Sequence, residues 1–170
     1  MKPEPAVELL PLTLEQLDLL AVGDLAATGR SLGMAVPPDF ADGQWIWQHF
    51  ATLTRNEPEE AWWRSQYLIV KDARIVGHAR LHGPPDDLSE VAVGYHVDPI
   101  ARGRGYAKAA TKELITTARG CSAVKSLTAL ISETNAASIG VATSVGFVAD
   151  GMQRHRFGWL MRRFVLPLRE

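Results

Sequence analysis

Apolar residues recur along this chain with two different periods, and the changes between them mark its elements. Ala6 to Leu10 reads as a short strand ended by Pro11. A helix start follows in Leu12-Thr13-Leu14-Glu15-Gln16-Leu17: Thr13 can cap, Gln16 can close a capping box, and Leu12 can pack on Leu17. This helix is expected to run to about Leu25, with Gly29 and Gly33 loosening its end and Pro37-Pro38 opening a new segment. A second helix is expected from near Asp42, spanning Gln44 to Leu53. Ile46, Phe50 and Leu53 share one of its stripes, and Trp45 and His49 a neighbouring one. Asn56-Glu57-Pro58-Glu59 suits one further turn before Trp62-Trp63. The tryptophans suit core packing or the wall of a pocket.

Period two then takes over. Gln66 to Val70 and Arg74 to Leu81 read as a hairpin around Asp72-Ala73, with Leu68 and Val70 on one face and Tyr67 and Ile69 on the other. Gly83-Pro84-Pro85-Asp86 turns the chain into the run V-A-V-G-Y-H-V that starts at Val91. A helix is expected from around Gly105 to before Gly120, with Ala107, Ala110, Leu114 and Ala118 as a stripe for close packing. Ser126 to Ile131 is the next strand, Thr134 or Asn135 starts another helix, and Gly146 stops it. A last hairpin runs from Arg154-His155-Arg156-Phe157-Gly158-Trp159 to Leu166, where Pro167 ends it. The order is strand, two helices, three strands, helix, strand, helix, two strands. That suits an α/β domain with a mixed central sheet, whereas a doubly wound fold alternates from its beginning.

The chemistry concentrates between Val91 and Phe147. After the Val91 run the chain breaks at Asp98-Pro99 and continues as R-G-R-G-Y-A, Arg102 to Ala107, directly into the helix. A strand that ends in a glycine-spaced turn opening a helix makes an anion site. The backbone curls, successive N–H groups point inward, and the helix N-terminus adds partial positive charge. Arg102 and Arg104 add donors suited to phosphate. A Walker loop would need Lys-Ser/Thr after the glycines, and a dinucleotide fingerprint a third glycine or alanine at its own spacing, with an acid on the second strand; neither is present.

The pair formed by R-x-x-G-x-A and the later N-A-A-S-I-G-V-A-T-S-V-G-F, Asn135 to Phe147, resembles the GCN5-related N-acetyltransferase (GNAT) superfamily. The closest likeness is to its branch of ribosomal-protein N-terminal acetyltransferases, RimJ/RimL-like. The resemblance is specific over these segments and extends from about Leu9 to about Phe164. It implies one GNAT-like acyltransferase domain over residues 1–170, with acetyl-CoA as acyl donor. Arg102, Gly103, Arg104, Gly105, Tyr106 and Ala107 would hold the pyrophosphate, chiefly through backbone N–H groups. Val97 would offer backbone to the pantetheine arm, and strand splay near it would leave an oxyanion donor. Asn135 would help hold the arm as well as cap its helix.

Catalytic groups are harder to place. Ser138 resembles the branch's serine, a candidate proton donor near sulfur, with local helix hydrogen bonding as the main alternative. Two departures stand out: Ala142 replaces a tyrosine of many members, and Ala92 replaces a glutamate common in the branch. Glu90 and His96 share the Ala92 face of a regular strand and are candidate bases, with a solvated turn acid and a packed histidine as the alternatives. A water-assisted route is preferred to either. Trp45 and Trp63 can wall the acceptor side. Cys121, the only cysteine, lies away from the loop, so direct transfer in a ternary complex is expected rather than an acyl-enzyme. His49, His78, His82 and His155 name no metal site, and Arg154, Arg156, Arg162 and Arg163 suit either an acidic acceptor or a solvated edge.

Composition narrows the remaining choices. With 46% apolar residues in 170, the chain can bury a sizeable core, and a net charge of −1 argues against a general nucleic-acid surface. One cysteine excludes an intrachain disulfide or thiolate cluster. Without a secretory signal or a membrane-length apolar run, a cytoplasmic location is expected, with no membrane or nucleic-acid partner. Charge leaves a homodimer open. The expected function is acetyl transfer to a primary amine, on a protein N-terminus or a small molecule. The alternative is an acyl-CoA-binding regulatory or structural protein, suggested by Ala92 and Ala142.

Overall fold

The computed structural model describes residues 4–155 and 158–169. The N-terminal capping box forms: Gln16 N–H donates to Thr13 Oγ1 at 3.2 Å, and Thr13 N–H donates to Gln16 Oε1 at 3.0 Å. Two orphan donors are satisfied reciprocally, and helix α1 runs Leu14–Ala21 after strand β1, Glu8–Pro11. The segment then differs from its sequence reading. Gly23, at φ +78°, breaks the helix, and Asp24 caps a second one, α2, Leu25–Leu32. Its Oδ1 accepts from Ala27 N–H at 2.8 Å, and Gly33 ends α2 in the left-handed region at φ +67°. Helix α3 is Gln44–Asn56, so three helices, not two, separate the first strands.

The other elements fall close to their expected places. They are β2 Gln66–Lys71, β3 Arg74–Leu81, β4 Glu90–Val97, α4 Tyr106–Arg119, β5 Ser126–Ile131, α5 Ala136–Ser144, β6 Val148–Arg154 and β7 Leu160–Pro167. Asp72 and Ala73 both have positive φ, as the two-residue turn of a tight hairpin requires. The seven strands lie in the order β1-β2-β3-β4-β5-β7-β6, antiparallel except for β4 and β5. That parallel step needs a crossover, which α4 supplies.

Each face of the sheet has its own core. On one, Ala110, Leu114 and Ala118 of α4 are fully buried against Val91, Val93 and Leu127. On the other, Leu17 and Leu20 of α1 and Trp47 and Phe50 of α3 cover Leu68, Val70 and Ile75. Alternation along β2 therefore sends Tyr67 and Ile69 to the α4 side and Leu68 and Val70 to the α3 side, as the period predicts. Truncating a side chain as deeply buried as Leu114 would cost about 2–5 kcal/mol.

The feature that positions the site is a split in this sheet. β4 and β5 pair only at Glu90↔Ser126, Val91↔Leu127 and Ala92↔Thr128, and then diverge. Beyond Ala92, β3 is the only strand partner of β4 among the described residues, through His82 N–H to Ala92 O and, just past the strand, Asp98 N–H to Val76 O. The antiparallel alternation then turns the peptide groups of Val93, Tyr95 and Val97 into the opening. Among the described residues no helix is long and apolar enough to cross a membrane.

Candidate active site

The turn after β4 is a backbone cradle. Gly103 and Gly105 sit at φ +74° and +83°, a region costly for any residue with a Cβ. Among the described residues, the N–H groups of Gly103 through Lys108 have no hydrogen-bond acceptor within the chain, because α4 makes its first bond only at Ala109 N–H to Gly105 O. A cavity of about 430 Å³ lies over them, lined by Val97, Arg102, Gly103, Gly105, Tyr106 and Ala107. Arg104 is exposed and does not line it. Arg102 Nε donates to Val97 O at 3.0 Å, tying the loop to the end of β4.

Asn135, before α5, and Ala137, Ser138 and Val141 of α5 close this cavity. Asn135 caps the helix, its Oδ1 accepting Ser138 N–H at 3.0 Å. That bond uses the carbonyl end of the amide. Asn135 and Ser138 also line a second cavity, of about 350 Å³, which fills the opening between Ala92–Tyr95 of β4 and Ala129–Ile131 of β5. A third residue belongs to both cavities: Tyr95. Its hydroxyl is buried without a hydrogen-bond partner. Burial raises its pKa, and the nearby Ser138 hydroxyl opposes the shift from a position short of a normal hydrogen bond. A phenol in this state stays protonated through neutral pH and has a proton to give. Sequence reasoning missed Tyr95; its alternation with Val91 and Val93, opposite Ala92, was the available signal.

The candidate bases do share a face, with Ala92 and Gly94 between them, but they meet different surroundings. Glu90 lies at the closed end of the split, in an ion pair with Arg163 at 2.5 Å and accepting from Ser126 Oγ at 3.2 Å. It lines neither cavity. His96 lines the cofactor-loop cavity, but its Nε2 is 2.7 Å from Asp39 Oδ2 and its ring stacks on His78 at 5.3 Å. His78 is buried, and desolvation first, then the charges of Arg80 and His96, pushes its pKa well below the ordinary histidine value. The Asp39 contact, joining residues 57 apart in sequence, had no local signal.

On the α3 side the opening continues into a cavity of about 380 Å³ walled by Trp45, Ile46, His49, Phe50 and Leu53. It shares Arg80, His82 and His155 with the opening itself. Trp45 thus lines a cleft, whereas Trp63 packs on the α4-side core. The hairpin arginines are committed to the fold: Arg163 to Glu90 and Asp150, Arg162 to Glu133, and Arg154 to the Gly158 carbonyl. Arg156 lies outside the described residues. Among those described, no group of histidine, cysteine and acidic side chains is arranged to hold a metal ion. Cys121 sits past the far end of α4, roughly 20 Å of helix from the loop.

The same fold recurs in solved acetyltransferases. RimL, a ribosomal L7/L12 alpha-N-protein acetyltransferase in complex with coenzyme A, superposes with a TM-score of 0.66 at 14% identity, covering 95% of this chain and 94% of that one. The aminoglycoside acetyltransferase AAC(6')-Ib in complex with coenzyme A gives 0.67 at 16%, covering 95% of each chain. A chimera of spermidine N-acetyltransferase SpeG from Vibrio cholerae and hSSAT gives 0.67 at 11%, with the same coverage of both. A search of curated protein sequences finds no significant match. The family model for an acetyltransferase (GNAT) domain matches residues 7–148, spanning the cradle, the split and α5, and the chain belongs to that family.

Proposed function

We propose that the protein is an acetyl-CoA-dependent N-acetyltransferase whose acceptor is a primary amine, working as one domain by direct transfer. The observation that carries this reading is the continuity of the three cavities. The cradle meets the split at Tyr95, Asn135 and Ser138, and the split meets the α3 cleft at Arg80, His82 and His155. Neighbours of the same fold hold coenzyme A, and the residues here fit such a group. Unpaired N–H groups at a helix N-terminus suit a diphosphate, and the strand peptides turned into the split suit an amide-bearing arm.

Acetyl-CoA, when bound, supplies an activated acyl group: its C–S bond breaks as the new N–C bond forms, while nitrogen loses one proton and sulfur gains one. The chain's residues divide this work. Gly103 to Lys108 anchor the anionic end, Asn135 and the β4 peptides fix the direction of approach, and Val93 and Tyr95 offer N–H groups to a developing oxyanion. Tyr95, with Ser138 beside it where the two cavities meet, would give the leaving group its proton, the role left open by Ala142. With Glu90 paired to Arg163, water in the split is our preferred acceptor of the amine proton, and His96, oriented by Asp39 at Nε2, remains a candidate base.

The test is release of free thiol from acetyl-CoA with a mixed panel of peptides and small amines, followed by mass analysis. An acetylated amine is the expected product. Tight coenzyme A binding with no acetylated product across the panel would sink the transferase reading in favour of a binding protein.

A further inference from the structure

Asp39 sits between Pro37-Pro38 and the buried Phe40, in a short 3-10 turn, Pro38–Gly43. Phe40 stacks on Trp47 at 5.3 Å and stands edge-on to His78, and its carbonyl accepts from Trp47 Nε1 at 3.0 Å. That packing fixes the backbone of Asp39, whose side chain is only 18% exposed. Its Oδ2 is 2.7 Å from His96 Nε2, while Oδ1 is buried with no hydrogen-bond partner. A buried acceptor left unanswered costs stability, so packing alone does not account for an acid here.

The imidazole that it meets is fixed too. His96 stands opposite His78 across β3 and β4, and the rings stack at 5.3 Å with 25° between their planes. Gly77 lets the two strands close: a Cβ on it would fall 2.1 Å from the His96 carbonyl oxygen. An ionised carboxylate only accepts, so the hydrogen lies on Nε2 and the lone pair of the neutral ring on Nδ1. Among the described residues no donor or acceptor meets Nδ1, and the His96 side chain is 39% exposed. His96 lines the same cavity as Tyr95, Asn135 and Ser138, where the cofactor loop meets the split.

Resting on the transferase reading, we propose that Asp39 is a positioning residue: it holds His96 in the Nε2–H tautomer, and His96 Nδ1 takes the proton that the attacking amine releases to water. As the N–C bond forms, the amine proton passes through that water to Nδ1, and Asp39 then offsets the charge of the imidazolium. Tyr95 gives its proton to sulfur as the C–S bond breaks. One proton is taken up and one given, and exchange with solvent restores both side chains. The titratable and charged groups around the ring are Asp39, His78 and Arg80 of β3, and Arg102 and Lys108 on the shared cavity. His78 adds no charge, since burial first, then Arg80 and His96, pushes its pKa well down and keeps it neutral.

Three measurements on the full chain test this. Single-turnover acetylation is followed against pH, at saturating acetyl-CoA, with an acceptor found by the panel. Nitrogen NMR of the histidine rings reads the tautomer of His96 without cofactor, and calorimetry reads coenzyme A affinity. His96→Gln keeps an amide N–H for Asp39 and removes the base; it should lower the plateau rate about tenfold or more while coenzyme A affinity holds. Asp39→Asn removes the charge and keeps the shape. Its plateau rate should fall several-fold, and its acid limb should move to lower pH, because a neutral neighbour no longer favours a proton on the ring. Wild type should show Nε2–H on His96, and Asp39→Asn a mixture of tautomers. A merely structural Asp39 would lower stability and leave limb and tautomer in place. If Asp39→Asn does not fold, the wild-type tautomer and His96→Gln decide alone. An unchanged rate in His96→Gln, an unmoved limb and tautomer in Asp39→Asn, or an Nδ1–H tautomer in wild type would overturn the inference while the transferase reading stands. Wild type that binds coenzyme A and acetylates nothing in the panel would sink the transferase reading, and this inference with it.

Discussion

The two ends of the active cleft are built in opposite ways. The proposed cofactor end is one continuous segment, Arg102 to Ala107 opening α4, and the groups it offers are backbone N–H groups fixed by glycine conformations. The proposed acceptor end is assembled from α3, the end of β3 and the last hairpin, and the groups it offers are side chains. A backbone cradle tolerates side-chain drift but not a change of φ. A side-chain cleft changes its selectivity with a single substitution and leaves the sheet intact. One frame can therefore keep a fixed donor and vary its acceptor.

The largest effect is expected where the backbone itself is the ligand. Gly105→Asp puts a Cβ at φ +83° and a carboxylate beside the cradle. The left-handed backbone alone costs about 1–2 kcal/mol, near tenfold, and charge repulsion should bring the total loss of coenzyme A affinity to roughly a hundredfold. Calorimetry on the folded variant checks this. An affinity equal to wild type would place the diphosphate elsewhere and remove the contrast.

The junction should respond in rate rather than affinity. Tyr95→Phe is expected to lower the single-turnover acetylation rate by about tenfold to a hundredfold, at or below the bottom of the roughly 10²–10⁴-fold range for acid catalysis because water also reaches the split. Coenzyme A affinity should hold. Stability should hold or rise, since the variant removes a buried hydroxyl without a partner. Ser138→Ala should cost only a few-fold, about what one neutral hydrogen bond is worth. An unchanged rate in Tyr95→Phe with a large loss in Ser138→Ala would hand the proton to the serine.

The smallest effect concerns the scaffold under the acceptor end. His78 is buried among Phe40 and Trp47, with Arg80, His96 and, through His96, Asp39 as its charged surroundings. Its folded pKa lies well below the ordinary 6.5, chiefly from burial. Folding thus favours its neutral form, which costs nothing above pH 6.5 and progressively more below it, where the unfolded chain binds a proton that the folded chain refuses. In His78→Phe the urea midpoint should fall less between pH 6.5 and pH 4.5 than in wild type. Parallel acid limbs in the two proteins would show that His78 does not set this slope.

Much of the frame was legible because its signals are local. Thr13 and Gln16 cap within three residues, Asp72-Ala73 turns within two, and R-x-x-G-x-A writes its anion site in consecutive residues. Asn135 capped its helix as expected, again over three residues. Where a local signal was weak the reading slipped. A glycine at position 23 was enough, with Asp24 behind it, to divide one expected helix into two.

Chemistry between distant segments was a different matter. That Glu90 and His96 share a face follows from the period of a strand, but their partners do not. Arg163 and Asp39 come from 73 and 57 residues away, and each engages the candidate base that spacing alone had left open. Tyr95 was not singled out in the sequence, and only the divergence of β4 from β5 leaves its hydroxyl between two cavities. His82 and His155 read as scattered histidines, and only the fold brings them to the lining of one cavity. The sequence by itself determined the elements, the sheet periodicity and the backbone cradle, because hydrogen bonds within a turn or helix act over a few residues. The tertiary structure decided which side chains meet at the split and in the α3 cleft, because those depend on distances between strands that only packing sets.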